Sequence, residues 1–61
     1  MTDKEIKEAL EWALKQTITE YDEKIEVKNN RHLIVDFVRK YFNDNDVDYS
    51  MFSYKDLEPF V

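Results

Sequence analysis

Residues 31–42, RHLIVDFVRKYF, decide the fold, because their apolar side chains recur at helical spacing. Projected at about 100° per residue, these side chains form one broad stripe. The stripe consists of Leu33, Ile34, Phe37, Val38, Tyr41 and Phe42. Asp36, Arg39 and Lys40 fall on the opposite side, where a helix of a small domain meets water. The pattern predicts a helix on which the rest of the chain packs, with Phe37 among the most buried side chains of the protein.

A second amphipathic helix is predicted nearer the start of the chain. Thr2 and Glu5 have the spacing of a capping box, in which each side chain accepts a hydrogen bond from the other residue's backbone N–H. The apolar side chains that follow fall within a sector of about 140°. They are Ile6, Leu10, Ala13, Leu14, Thr17, Ile18 and Tyr21. We expect this stripe to pack against the helix at 31–42, whose first turn Asn30 is placed to cap with its side-chain oxygen.

Trp12 breaks the pattern of the first helix, because the projection places it roughly opposite the apolar stripe. An indole at that position is expected to have no other helix of the same chain to meet. Two interpretations stay open. Either the indole is covered by the C-terminal segment or lies exposed on a small protein, or it anchors a protein interface, where tryptophan is strongly enriched.

The segment between the two helices, residues 22–30, fits two structures. Ile25 and Val27 alternate as in a strand, and a hairpin over residues 23–37 would give an α+β fold. However, the chain has no glycine, which the tightest hairpin turns prefer, and the helical match after Asn30 is long. The helix-loop-helix interpretation is therefore favoured, and the hairpin is kept as the alternative.

The chain changes character in its last third. Residues 43–61 hold five acidic side chains against Lys55 alone, whereas residues 1–42 hold nine acids and eight bases. Ser53 begins a second capping pattern, and Pro59 limits the helix that follows to about two turns. The sequence therefore predicts an all-α fold of two main amphipathic helices and a short C-terminal helix.

Length and composition indicate the class of protein. With 61 residues, 43% of them hydrophobic, the chain is predicted to form a single domain over residues 1–61. It contains no cysteine, no apolar leader at its start and no apolar run of about 18 residues. We therefore expect a cytoplasmic protein that makes no contact with a membrane. Small cores are often completed by self-association, so a homodimer is an alternative to a monomer.

Patterns typical of enzymes and of metal sites fail on inspection. Asp44, Asp46 and Asp48 copy the first three carboxylates of a calcium-binding EF-hand loop. However, Tyr49 stands where that loop requires glycine, and Lys55 stands where it requires a bidentate glutamate. With one histidine, no cysteine and no glycine, the chain also lacks catalytic pairs and phosphate-binding loops. We predict no enzymatic activity, no metal and no cofactor.

The charge balance points to a protein partner. A net charge of −5 repels phosphates, so direct nucleic-acid binding is not expected. Carboxylates interleaved with aromatic side chains suit instead a partner that has a basic, partly apolar groove. The predicted contact residues are Trp12, Asp44, Asp46, Asp48, Tyr49 and Phe52.

In size and charge the chain resembles the small acidic antagonists of DNA-handling enzymes, a class that includes DNA mimics and the anti-restriction and anti-CRISPR proteins of phages. This resemblance is one of composition and carries over no residues. It implies a small acidic protein-binding module that inhibits or regulates a nucleic-acid-binding protein. The alternative is a self-associating helical regulator or an antitoxin-like partner, whose acids serve solubility alone.

Overall fold

Two antiparallel α-helices form the centre of the protein in the computed structural model, which describes residues 1–23 and 25–61. Helix α1 spans Asp3–Tyr21 and helix α2 spans Arg31–Asp44. Short 3₁₀ turns lie at Val27–Asn29, Tyr54–Asp56 and Glu58–Phe60. The all-α prediction is confirmed. None of the described residues forms a strand, so the alternative hairpin over residues 23–37, of which only Lys24 lies outside the described residues, is not supported.

Local side-chain chemistry determines both ends of α1. The Thr2 hydroxyl accepts a hydrogen bond from the Glu5 backbone N–H (3.2 Å), and the Glu5 carboxylate accepts one from the Thr2 backbone N–H (2.9 Å). The predicted capping box is therefore confirmed. At the other end Asp22 adopts a left-handed conformation with φ of 56°. The chain has no glycine to place there, and aspartate is one of the few other residues that tolerate this conformation.

Asn30 lies at the N-cap of α2, but its side chain has a different role from the one predicted. No side-chain hydrogen bond caps the first turn of α2. Instead, the Asn30 amide Nδ2 donates to the Glu26 carbonyl (2.7 Å), and the Asn30 backbone N–H donates to the Val27 carbonyl (3.0 Å). The capping prediction for this side chain is wrong, because its amide nitrogen donates to the preceding turn, whereas its oxygen accepts no hydrogen bond from the first turn of α2. Through these two hydrogen bonds Asn30 holds the 3₁₀ turn at Val27–Asn29 against the start of α2.

The two helices pack through small residues on α1 and branched or aromatic residues on α2. Ala9 and Ala13 are fully buried and let the helix backbones approach closely. Thr17 is the one buried polar side chain of α1, and its hydroxyl donates to the Leu14 carbonyl (2.7 Å), so its burial leaves no unpaired donor. The buried side chains of α2 are Ile34, Val35, Val38 and Phe42.

The buried face of α1 is rotated relative to the predicted stripe. Ile6, Leu10 and Ala13 are buried as expected, but Ile18 and Tyr21 are 46% and 48% exposed. At 100° per residue the buried face is turned by roughly 50° toward Trp12. The physical reason is that close packing selects the alanine side of the helix, where α2 can approach, and leaves part of a wide apolar stripe uncovered.

Phe37 is only partly buried, so the prediction that it is among the most buried side chains is wrong. The fully buried side chains of α2 are Ile34, Val38 and Phe42, each with no exposed surface. The line of closest contact runs along these three residues. Phe37 lies beside that line, at the edge of the contact between the helices.

The C-terminal segment, residues 45–61, returns across one side of the helix pair. Phe52 and Leu57 enter the core, and the Phe52 ring packs edge-on against Phe42 with 5.4 Å between ring centroids. Two cation–π contacts hold the ends of the segment to the helices. They place the Arg31 guanidinium 4.9 Å from the Tyr54 ring and the Lys7 ammonium 5.4 Å from the Phe60 ring.

The predicted short C-terminal helix is present as two successive 3₁₀ turns. Ser53 and Asp56 form the predicted second capping box, in which the Asp56 carboxylate accepts from the Ser53 backbone N–H (2.9 Å). Pro59 lies in the first turn of the last 3₁₀ element, where its missing N–H costs no hydrogen bond. The segment therefore has a defined backbone although it contains no α-helix.

Comparison of two phenylalanines on α2 tests this packing. We expect Phe42→Ala to lower the free energy of unfolding by about 3–5 kcal/mol, because it leaves a cavity in the core. Phe37→Ala, the same substitution at the edge, is expected to cost clearly less. Urea unfolding followed by circular dichroism measures both values. Equal losses, or a larger loss for Phe37→Ala, would contradict the observed packing.

Candidate functional site

Three aromatic rings meet on the side of the helix pair that carries Trp12. The Trp12 ring lies edge-on to Phe37, with 6.2 Å between centroids, and tilted against Tyr41 at 5.6 Å. All three side chains are partly buried. We call this surface the aromatic face. The expectation that Trp12 would have no helix of its own chain to meet is wrong, because the rotation of α1 brings its indole against the edge of α2.

The contacts of the C-terminal segment fall on the opposite side of the helix pair. Phe60 lies beside Lys7, Leu10 and Leu14, which at 100° per residue are roughly 140–160° from Trp12 around α1. Tyr54 lies beside Arg31 and lines a depression with Val35 and Arg39, which project roughly opposite Phe37 on α2. The aromatic face is therefore not the surface that this segment covers, and the rings keep exposed edges.

Acidic residues from both helices gather at one end of the aromatic face. The antiparallel arrangement brings the start of α1 beside the end of α2, so that Glu5 and Glu8 line the same depression as Asn45 and Val47. Asp44, the last residue of α2, is exposed, and so are Asp46 and Asp48 in the loop that follows. We call these acids the acidic end. It consists of Glu5, Glu8, Asp44, Asp46 and Asp48.

The acidic end adjoins the aromatic face directly. Glu8 lies one helical turn before Trp12, and Asp44 lies one turn after Tyr41. Within the described residues the one ion pair joins Asp36 and Arg39 at 4.0 Å, away from this region. Sequence reasoning identified the three aspartates but missed Glu5 and Glu8, because only the packing of α1 against α2 brings them to the same place.

The acidic loop begins as a Schellman motif, the hydrogen-bonded reversal that ends many helices. The Val47 backbone N–H donates to the Phe42 carbonyl (2.9 Å), and the Asp46 backbone N–H donates to the Asn43 carbonyl (3.3 Å). Asp46 occupies the left-handed position of the motif, with φ of 57°. Val47 also packs beside Phe42. Backbone bonds therefore hold the loop in shape while its carboxylates point to solvent.

Asp48 stabilises the next turn of the loop. Its carboxylate accepts a hydrogen bond from the Ser50 backbone N–H at 3.0 Å. This bond, followed by a contribution from the Ser50 hydroxyl, lowers the pKa of Asp48 below its usual value of 3.8. Asp48 therefore keeps its negative charge in mildly acidic solution.

The aromatic and apolar residues of this loop divide into three kinds. Phe52 is 4% exposed and belongs to the core, so it offers a partner little surface, and its role as a contact residue stays a prediction. It was predicted from proximity to the acids in sequence, which does not distinguish core from surface. Tyr49 is partly buried against the core. Met51 is 89% exposed and was missed, although an apolar residue between two turns is itself a signal.

Neither a metal-binding cluster nor a membrane-spanning helix is found in the described part of the chain. Among residues 1–23 and 25–61, no group of three or more histidine, cysteine, aspartate or glutamate side chains is close enough to hold a metal ion. In the same part of the chain, neither α-helix has the length and apolar composition needed to cross a membrane. No protein-family model matches the sequence, and no curated protein or solved structure is significantly similar to it.

The left-handed conformation of Asp46 makes a specific demand on the side chain. We expect Asp46→Ala to destabilise the protein by about 1 kcal/mol, because alanine tolerates this conformation poorly. Asp46→Asn removes the same charge but keeps a side chain that adopts it readily, so it is the matched control. Urea unfolding of both variants separates charge from conformation. The geometry of the loop would be contradicted if the two variants were equally stable.

The lowered pKa of Asp48 predicts a pH dependence. A carboxyl group whose pKa is lower in the folded state adds stability above its unfolded pKa and loses that stability as the pH falls through its folded pKa. The stability of the wild type relative to Asp48→Asn should therefore decrease between about pH 5 and pH 2. Other acids are common to both proteins and cancel in the difference. Thermal unfolding across this range would show parallel curves if the hydrogen bond to Ser50 were absent in solution.

Proposed function

We propose that the protein binds another protein through its acidic end and the adjoining aromatic face, and thereby inhibits or regulates a nucleic-acid-binding protein. The observation that carries the proposal is the contact between these two surfaces. Glu5 and Glu8 line a depression together with Tyr41, whose ring lies against Trp12, and the exposed aspartates at the end of α2 and in the loop follow Tyr41 in the chain. Charge attracts a basic partner, and the rings offer apolar area for it to cover.

The position of the acids supports a role in binding rather than in folding. Asp44 and Asp46 lie at the C-terminal end of α2, where the helix dipole is negative and where no basic residue stands in the last turn. Acids at this end destabilise a helix, and neighbouring carboxylates repel one another. A local electrostatic conflict of this kind is typical of a functional surface.

The same surface matches the chemistry of a nucleic-acid backbone. A groove that binds nucleic acid carries lysine and arginine side chains spaced to neutralise phosphates. Exposed carboxylates in a fixed loop offer such a groove the same sign of charge. We therefore propose occupation of the groove as the mechanism, in the manner of a cytoplasmic DNA mimic of phage or mobile-element type. Met51 and Tyr49 flank the loop and would add apolar contacts at its edge.

A competition experiment tests the proposal. The immobilised protein is used to capture partners from a lysate of the source cell, and the captured protein is purified. Fluorescence anisotropy with a labelled DNA duplex then shows whether the purified partner binds nucleic acid and whether this protein displaces the duplex. Displacement is expected. A partner that does not bind nucleic acid, or that binds the duplex and this protein together, would contradict the proposal.

Removal of three charges from the acidic end tests how much this surface contributes to the rate of partner binding. The triple variant Asp44→Asn, Asp46→Asn, Asp48→Asn should keep its melting temperature within a few degrees of wild type, because the relief of like-charge repulsion at a helix C-terminus offsets the weaker hydrogen bond between residue 48 and Ser50. Its association rate with the captured partner should fall at low salt, and the difference from wild type should shrink as salt rises. Stopped-flow measurements at several salt concentrations give these rates.

A matched control has the same net charge but keeps the acidic end. The variant Glu11→Gln, Glu20→Gln, Glu23→Gln neutralises three exposed acids elsewhere on α1 and just beyond it. It should reduce the association rate less than the loop variant does. Equal reductions would show that net charge alone, and not the acidic end, attracts the partner.

A further inference from the structure

The side of α1 that faces away from the aromatic face carries an apolar surface that the fold covers only at its Leu14 edge, where Phe60 and Val61 lie. It consists of Leu14, Ile18 and Tyr21, and we call it the outer stripe. Ile18 and Tyr21 are each nearly half exposed. The surface continues from Leu14 into a shallow apolar depression of about 300 Å³ that Ile25 and Val27 also line. Ile18 and Tyr21 belong to the predicted stripe of α1, yet no element among the described residues buries them.

We propose that a second copy of this chain covers the outer stripe, in a twofold-symmetric dimer whose α1 helices pack antiparallel. The proposal is independent of the proposed function, since it concerns the other side of α1. In a twofold interface, residues at equal distances from the axis meet. With Ile18 at the axis, Lys15 of one copy lies opposite Tyr21 and Asp22 of the other.

The charges beside the outer stripe are complementary in this arrangement. Lys15 lies three residues before Ile18, and Asp22 lies four residues after it. Lys15 lies on one flank of the stripe, and the backbone of Asp22 leaves the end of α1 on that same flank. Antiparallel pairing about Ile18 therefore brings each lysine near the partner's aspartate, whereas parallel pairing would place the two residues at different heights on opposite flanks of the interface. Antiparallel packing also aligns the helix dipoles favourably.

The charge distribution also favours a second copy on this surface over one on the acidic end. Two acidic ends repel each other, whereas the outer stripe is flanked by both signs of charge. Trp12 lies on the other flank of α1, roughly 120° from Ile18. A dimer formed through the outer stripe therefore leaves both acidic ends and both aromatic faces free, and it presents two partner-binding surfaces at once.

Sedimentation across a concentration series tests the dimer. The wild type is expected to pass from monomer to dimer as its concentration rises. Ile18→Glu should raise the dimer dissociation constant by about a hundredfold, because two isoleucines are lost from each interface. Met51→Glu makes the same change in charge at a more exposed apolar residue away from the stripe, and it should leave the constant unchanged.

Charge reversal tests the register of the pairing. Lys15→Glu should weaken the dimer, and adding Asp22→Lys to that variant should restore it, with circular dichroism confirming that each variant keeps its helices. Trp12 fluorescence should not change on dimerisation. A wild type that stays monomeric at millimolar concentration would overturn the proposal. So would a dimer that survives Ile18→Glu, a dimer equally weakened by Met51→Glu, or a Trp12 emission that shifts as the dimer forms.

Discussion

Close contact between the alanine side of α1 and the branched side of α2 is the interaction on which the rest of the structure depends. Ala9 and Ala13 have no exposed surface, and neither have Ile34 and Val38 on the facing helix. Small side chains allow a short distance between helix axes, and a short distance gives dense packing in a chain that has few residues to bury. The orientation of α1 follows from this requirement, and so does the position of every side chain around it.

One rotation of α1 explains both surfaces to which we assign a function. Turning the alanines toward α2 carries Trp12 to the edge of the contact, where it meets Phe37 and Tyr41. The same rotation carries Ile18 out into solvent. The C-terminal segment leaves most of both surfaces exposed, because Leu57 and Phe52 draw it into the groove on the remaining side and only its last residues reach Leu14, at the edge of the outer stripe. A helix pair has more sides than one short segment can cover.

Local patterns in the sequence were enough to predict the elements but not their mutual orientation. The capping boxes at Thr2 and Ser53 depend on neighbours three residues away, and both were predicted correctly. The burial of Phe37 and Phe52 depends on which helix face a distant segment reaches, so the prediction of a deeply buried Phe37 was wrong and the core position of Phe52 was not foreseen. The three loop aspartates were identified from composition, whereas Glu5 and Glu8 joined them only through tertiary packing. A helical projection describes one helix and contains no information about the axis of the next.

The small core links the stability of this protein to its binding. A folded chain of 61 residues buries only about 60% of the surface that it exposes when unfolded, so its margin of stability is narrow. The outer stripe and the aromatic face both keep apolar area in contact with water, and the acidic end adds repulsion between carboxylates. A ligand that binds only the folded state raises stability in proportion to the logarithm of its concentration. Covering either apolar surface, or neutralising the acidic end, would therefore stabilise the fold as well as form a complex, so that binding and folding reinforce each other.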